Sequence, residues 1–237
     1  SPDGLPPVSG ATVFINDIQL SENDTAAGLY QTPPDVYGVP GETYRLRIEG
    51  VDVDNDGTPE TYTGESVMPG IAVADSIDVV YTEFNSFFKA WEVLVYAQDP
   101  PDEENYYLFK VMKNDTLLTD TLDEWVLRDD EMLNGAYIPG MTAQFIEHAN
   151  DSLQVRENDT VTLVTQCVTK EYNSYYWELN AESSYSSPLF SGPPANVSTN
   201  LEGSAGHGPV GFFETHAVSR ISKVIKNPDL RLADIRP

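Results

Sequence analysis

The stretch from Asp99 to Val111, DPPDEENYYLFKV, constrains this chain more than any other. The Pro100-Pro101 pair and the acids around it interrupt the backbone, because proline has no N–H to donate and a fixed φ. Asn105-Tyr106-Tyr107-Leu108-Phe109-Lys110-Val111 then reads as a strand rich in aromatic and β-favouring residues. Alternation with period two sets Tyr107, Phe109 and Val111 on one face and Tyr106, Leu108 and Lys110 on the other. The preceding run Trp91 to Ala97, WEVLVYA, has the same character, so the two strands predict a hairpin around a stiff acidic loop. Further strands are expected to add to this pair, and a separate smaller sandwich to precede it.

With 237 residues there is ample chain to bury a core, as one large or two small domains. Lys and Arg number 13 against 38 Asp and Glu, a formal charge of −25, which excludes nucleic acid or an anionic membrane surface as a partner held by general electrostatics. The balance favours cationic or metal partners. Residues 220–237 are net basic, a tail expected to dock on the acidic body or on a partner chain. Cys167 is the one cysteine, which excludes an intrachain disulfide and a multi-Cys metal site. It shares a face with Val161 and Leu163 and is expected to be a buried structural thiol. Pro2, Gly4, Pro6 and Pro7 open the chain in the manner of a tether.

Residues 1–82 carry short strand patterns between turns and predict an immunoglobulin-like β-sandwich. Thr43 to Ile48 alternates cleanly, with Arg45 and Arg47 opposite Tyr44, Leu46 and Ile48. Residues 83–237 predict a larger antiparallel β-sheet or barrel module with one helix, at about 169–182. There Tyr172, Tyr175, Tyr176 and Leu179 recur at helical spacing, and Thr169 is a plausible N-cap. Residues 183–209, rich in Ser, Gly, Pro and Asn, predict a long loop. The fold class is therefore mainly β.

An ordered set of short motifs runs through the chain: Gly10-Ala11-Thr12-Val13, Gly28-Leu29-Tyr30, Pro40 to Leu46, Met68-Pro69, Asp99-Pro100 with Asn105-Tyr106-Tyr107, the Tyr-rich helix, Pro194 to Asn200, and Gly211-Phe212-Phe213. In order and spacing this set resembles the Bacteroidota outer-membrane lipoproteins of domain-of-unknown-function family 4249. The resemblance implies a secreted precursor with a lipid anchor on an N-terminal cysteine upstream of Ser1, and placement on the outer membrane facing the cell surface. It also implies a partner β-barrel of the TonB-dependent transporter type. The acidic insert Asp52 to Glu60 departs from the family pattern. If the resemblance holds, six Asp-Ser/Thr-apolar triplets are similar to that phylum's O-glycosylation pattern, at Thr25, Ser76, Thr116, Thr121, Ser152 and Thr160.

Three constellations bear on chemistry. Asp52, Asp54 and Asp56 alternate before Gly57, the first half of a calcium-binding loop, with Glu60 as a further ligand. Thr63 stands where the full pattern wants a bidentate glutamate, and a plain hairpin turn explains the same residues. A second constellation pairs Asp99, Asp102, Glu103 and Glu104 with Asp123, Glu124, Asp129, Asp130 and Glu131. Paired carboxylates do acid–base work only where burial raises a pKa, and the flanking prolines and polar residues predict exposure instead. His148, His207 and His216 lack metal-ligand spacing. No residue earns a catalytic role, and calcium is the one cofactor in view.

The sequence thus predicts a non-enzymatic accessory subunit of an outer-membrane β-barrel complex, acting in substrate capture or assembly. Tyr185, Phe190, Asn196 and Asn200 are its expected partner contacts, on loops where recognition concentrates. A stand-alone glycan-binding or adhesin module and a carboxylate-dependent glycan hydrolase are the alternatives.

Overall fold

The computed structural model of the chain describes residues 7–53, 56–85, 88–101, 103–119, 121–131, 133–147, 154–183, 196–204, 209–226 and 230–231. In chain order its strands are β1 (Thr12–Ile15), β2 (Ile18–Gln19), β3 (Ser21–Asn23), β4 (Ala26–Gln31), β5 (Thr43–Val51), β6 (Glu60–Val67), β7 (Ser76–Glu83), β8 (Lys89–Gln98), β9 (Tyr106–Lys113), β10 (Thr116–Leu117), β11 (Val126–Asp129), β12 (Tyr137–Glu147) and β13 (Thr160–Val168). The helix α1 (Lys170–Ser183) follows, then β14 (Leu201–Gly203), β15 (Ala217–Val224) and β16 (Leu230–Arg231). The protein is mainly β, as its alternating patterns require. All pairings are antiparallel except β16 on β7, and among the described residues no sheet closes into a barrel.

The chain divides into two units, each built from two separated stretches: Ser1–Pro69 with Glu171–Thr215, and Gly70–Lys170 with His216–Pro237. The division differs from a boundary at residue 82. Strand β7, counted with the first module on sequence spacing, pairs with β8 along its whole length in the second. The helix and β14, counted with the second, belong to the first. Alternation marks a strand but not its partner, so the boundary was not readable from spacing.

The first unit is a five-stranded sheet in the order β14-β6-β5-β1-β2, with β3 and β4 as a separate hairpin. Its strand β14 lies inside the stretch read as loop, on the edge of β6 with Leu201 opposite Gly64. Asn200 fastens that edge. Its Nδ2 donates to the Glu65 and Phe213 carbonyls at 2.9 and 2.7 Å, and its Oδ1 accepts the Phe213 N–H at 2.8 Å. The tyrosine stripe of α1 is packing: Tyr176 is buried, while Tyr172 and Tyr175 hold the Phe212 ring at 5.7 and 5.0 Å between centroids. Burial, with Glu214 nearby, pushes the Tyr172 phenol up to about 12.

The second unit is a sandwich of two sheets, β10-β9-β13-β15 with β11 also on β9, and β12-β8-β7-β16. Ile77, Val79, Trp91, Val93 and Val95 of one sheet share a core with Tyr107, Phe109, Val111, Val161 and Leu163 of the other. Each such side chain stabilises the fold by roughly 1.5–3 kcal/mol on burial. Cys167 is buried in this core, where its thiol accepts the Ala72 N–H at 3.2 Å, and burial pushes its pKa up.

The predicted hairpin of Trp91–Ala97 with Asn105–Val111 is corrected here: β8 and β9 lie in opposite sheets, with their apolar faces meeting in the core. Two prolines at the start of the connection cannot donate to a ladder, so the chain crosses from one sheet to the other instead of turning back beside itself.

Candidate functional site

The crossing from β8 to β9 and the connection from β11 to β12 meet at one end of the second unit, and acids from both come together there. Asp99, directly after β8, is 1% exposed, and its two carboxylate oxygens are both taken. Tyr107 O–H donates to Oδ1 at 2.7 Å and Gly135 N–H to Oδ2 at 2.9 Å. Burial and the adjacent Asp99 carboxylate push the Tyr107 phenol far above its usual range. The Asp99 backbone is held as well, its N–H donating to the Ala136 carbonyl at 3.1 Å. Gly135 has φ +70°, and a Cβ there would meet the Pro101 side chain at 3.2 Å, so glycine lets the two connections approach.

Asp130, directly after β11, is 3% exposed. Its N–H donates to the Asn105 carbonyl at 3.2 Å, and its own carbonyl accepts the Leu133 N–H at 2.7 Å. Yet among the described residues its buried carboxylate Oδ2 has no partner, nor has the buried Asn105 side-chain oxygen Oδ1. Burial raises the Asp130 pKa above the usual carboxylate range, and the nearby Asp99 charge adds to the rise. The backbone N–H groups of Asn105 and Asp130 offset part of it. A buried acceptor left unpaired costs about 1–3 kcal/mol, so this oxygen stores a capacity to bind.

Asp130 lines a cavity of about 400 Å³ with Glu104, Tyr106, Asp129, Glu131, Asn134 and Lys170. Lys170 Nζ pairs with Glu104 Oε2 at 2.8 Å, an exposed bridge that lowers the Glu104 pKa but holds little energy. Asn134 Nδ2 donates to the Glu103 carbonyl at 2.9 Å, joining the two rims. The predicted exposure of both acidic clusters is thus corrected for Asp99 and Asp130. Sequence neighbours do not report burial where a side chain turns inward at a strand end. The one readable signal was the recurrence of acids directly after two strands.

The other sequence candidates lie elsewhere. At the β5–β6 connection, Asp52 accepts the Asp56 and Gly57 N–H groups at 3.1 and 3.0 Å. Asp56 accepts the Thr58 N–H at 2.7 Å, and buried Glu60 the Val53 N–H at 3.0 Å. These carboxylates brace a hairpin turn with Gly57 at φ +88°; Asp54 lies outside the described residues. Asn200 lines an open polar groove of about 740 Å³ over the first unit's sheet, beside the cross-strand pair Arg45–Glu65 at 2.8 Å. Asn196 is exposed, and Tyr185 and Phe190 lie outside the described residues.

Thr25, Ser76, Thr116 and Thr121 are exposed and Thr160 is half-buried; Ser152 lies outside the described residues. Thr25 Oγ1 donates to Asn23 Oδ1 at 2.8 Å. His216 is half-buried with its pKa pushed down by burial and by Lys110, while His148 and His207 lie outside the described residues. Among the described residues no three His, Cys, Asp or Glu side chains converge to hold a metal ion.

The model of a family described as a domain of unknown function, DUF4249, matches residues 1–222. No curated protein and no solved structure matches the chain.

Proposed function

The chain belongs to the DUF4249 family, and from that premise we propose that it is a non-enzymatic surface lipoprotein of the outer membrane. In this reading it serves a β-barrel complex of the TonB-dependent transporter type and captures a ligand for it. One observation carries the capture role: loops at the end of a tightly packed sandwich present a cavity lined by an aspartate whose buried carboxylate oxygen no described residue satisfies. Binding residues on loops held by a stiff β scaffold are the usual arrangement for recognition. The charge of −25 favours a cationic ligand and disfavours nucleic acid. Exposed Thr25, Ser76, Thr116 and Thr121 are accessible as glycan acceptors on such a surface protein, and the mass of the native protein tests their occupancy.

The test is affinity capture of the native lipoprotein from solubilised outer membranes. A β-barrel protein recovered in stoichiometric amount is the expected result. Recovery of the lipoprotein alone, with a glycan ligand bound, favours the stand-alone adhesin and overturns the accessory role.

The raised pKa of Asp130 favours a second reading, the carboxylate-dependent glycan hydrolase with Asp130 as general acid. Asp99 is a poor second carboxylate, since both its oxygens are committed within the fold. Turnover on a glycan panel that disappears in Asp130→Asn would establish this reading over the first.

A further inference from the structure

The unpaired oxygen of Asp130 also says what kind of group it awaits. Two buried acceptors, Asp130 Oδ2 and Asn105 Oδ1, belong to residues joined by a backbone hydrogen bond, and among the described residues neither has a donor. A buried carboxylate oxygen calls for a proton donor or a cation. A metal ion would call for a shell of six to eight oxygens if it were calcium. Among the described residues no three carboxylate, histidine or cysteine side chains converge to begin such a shell.

A cavity of about 400 Å³ is the size of a small organic ligand rather than an ion. Its lining holds four carboxylates against Lys170, whose ammonium is already paired with Glu104. Tyr106 adds an aromatic surface, which favours cations.

We infer that this cavity binds a primary ammonium group, which donates to Asp130 Oδ2 while its carbon chain lies along the acidic lining. An ammonium supplies three N–H donors and one positive charge, so it can satisfy the Asp130 oxygen and offset the buried anion. The inference rests on the capture reading and deepens it by naming the ligand class. The site is built within one unit, so its test needs neither a membrane nor a partner.

The experiment is calorimetric titration of the full chain at neutral pH with cadaverine, and separately with a terminally blocked lysyl tripeptide. Tetramethylammonium, which has the charge but no N–H, and calcium chloride are the comparison ligands. Saturable binding of cadaverine or of the peptide is expected, weakened at least tenfold in Asp130→Asn and unchanged in Glu65→Gln on the other unit. Binding of both marks a free-amine site, and binding of the peptide alone a lysine side chain. Equal binding of tetramethylammonium, preferential binding of calcium, or amine binding indifferent to Asp130→Asn overturns the inference. So does no binding at all in a protein whose melting curve is intact, which would leave Asp130 as a buried acid with no ligand role. Since these assays use purified chain, they can fail while the barrel partnership holds, and the reverse.

Discussion

At the scale of single residues, the two buried aspartates differ in how they are satisfied. Asp99 has a donor on each oxygen, and removing one leaves a buried anion half-paired. Tyr107→Phe should therefore destabilise the protein by roughly 1.5–3 kcal/mol, read as a lower urea midpoint with little change in slope. Asp130 is the opposite case. Its folded pKa lies above the ordinary 3.8, so the folded state holds this proton more tightly than the unfolded state does. Stability from this group is present below the ordinary value and is lost as pH rises through the raised one. Asparagine carries no charge and brings N–H donors. Asp130→Asn should raise neutral-pH stability by about 1 kcal/mol, with the advantage shrinking as pH falls through the raised pKa toward the ordinary carboxylate value. Melting curves across that range measure it, and equal or lower stability of the variant would show that the oxygen is not a burden. Burial of either aspartate was not legible in the sequence, because Asp99 precedes two prolines and Asp130 sits among acids and turn residues, and both contexts read as surface.

At the scale of elements, strands with unbroken alternation were legible and their partners were not. Tyr106–Lys113 and Thr160–Val168 stand almost as their patterns placed them, and so does the tyrosine-striped helix. Strand β12 is the hardest to read, since Pro139, Gly140 and two register shifts break its period. Strand β14 escaped altogether. It has three residues, one a glycine, and it exists because Asn200 ties the neighbouring segment to β6. Asn200→Ala removes three hydrogen bonds at a half-buried site and should cost about 1–3 kcal/mol. It should also speed proteolysis between residues 196 and 215 more than elsewhere, as the mass of early fragments would report. Uniform cleavage would mean that the side chain merely decorates that edge. The two-residue turn Asn114-Asp115 between β9 and β10 has φ of 48° and 65°, left-handed values that Asn and Asp tolerate. Its Asn114 also accepts the Thr160 N–H at 2.9 Å, which ties this turn to the start of β13.

At the scale of the whole molecule, each unit closes only when distant stretches of chain meet, which linear spacing cannot report. Long-range pairing of this kind predicts slow folding for the length, checked by stopped-flow refolding. The account's central claim is that this chain holds a ligand and passes it on unchanged beside a barrel. Native mass spectrometry of the complex isolated from outer membranes tests that claim most directly. It should show the lipoprotein and a β-barrel together, releasing a small molecule whose mass is the same before and after incubation with the protein. A lipoprotein without a barrel, whose ligand is converted to product by wild type and left intact by Asp130→Asn, would contradict it.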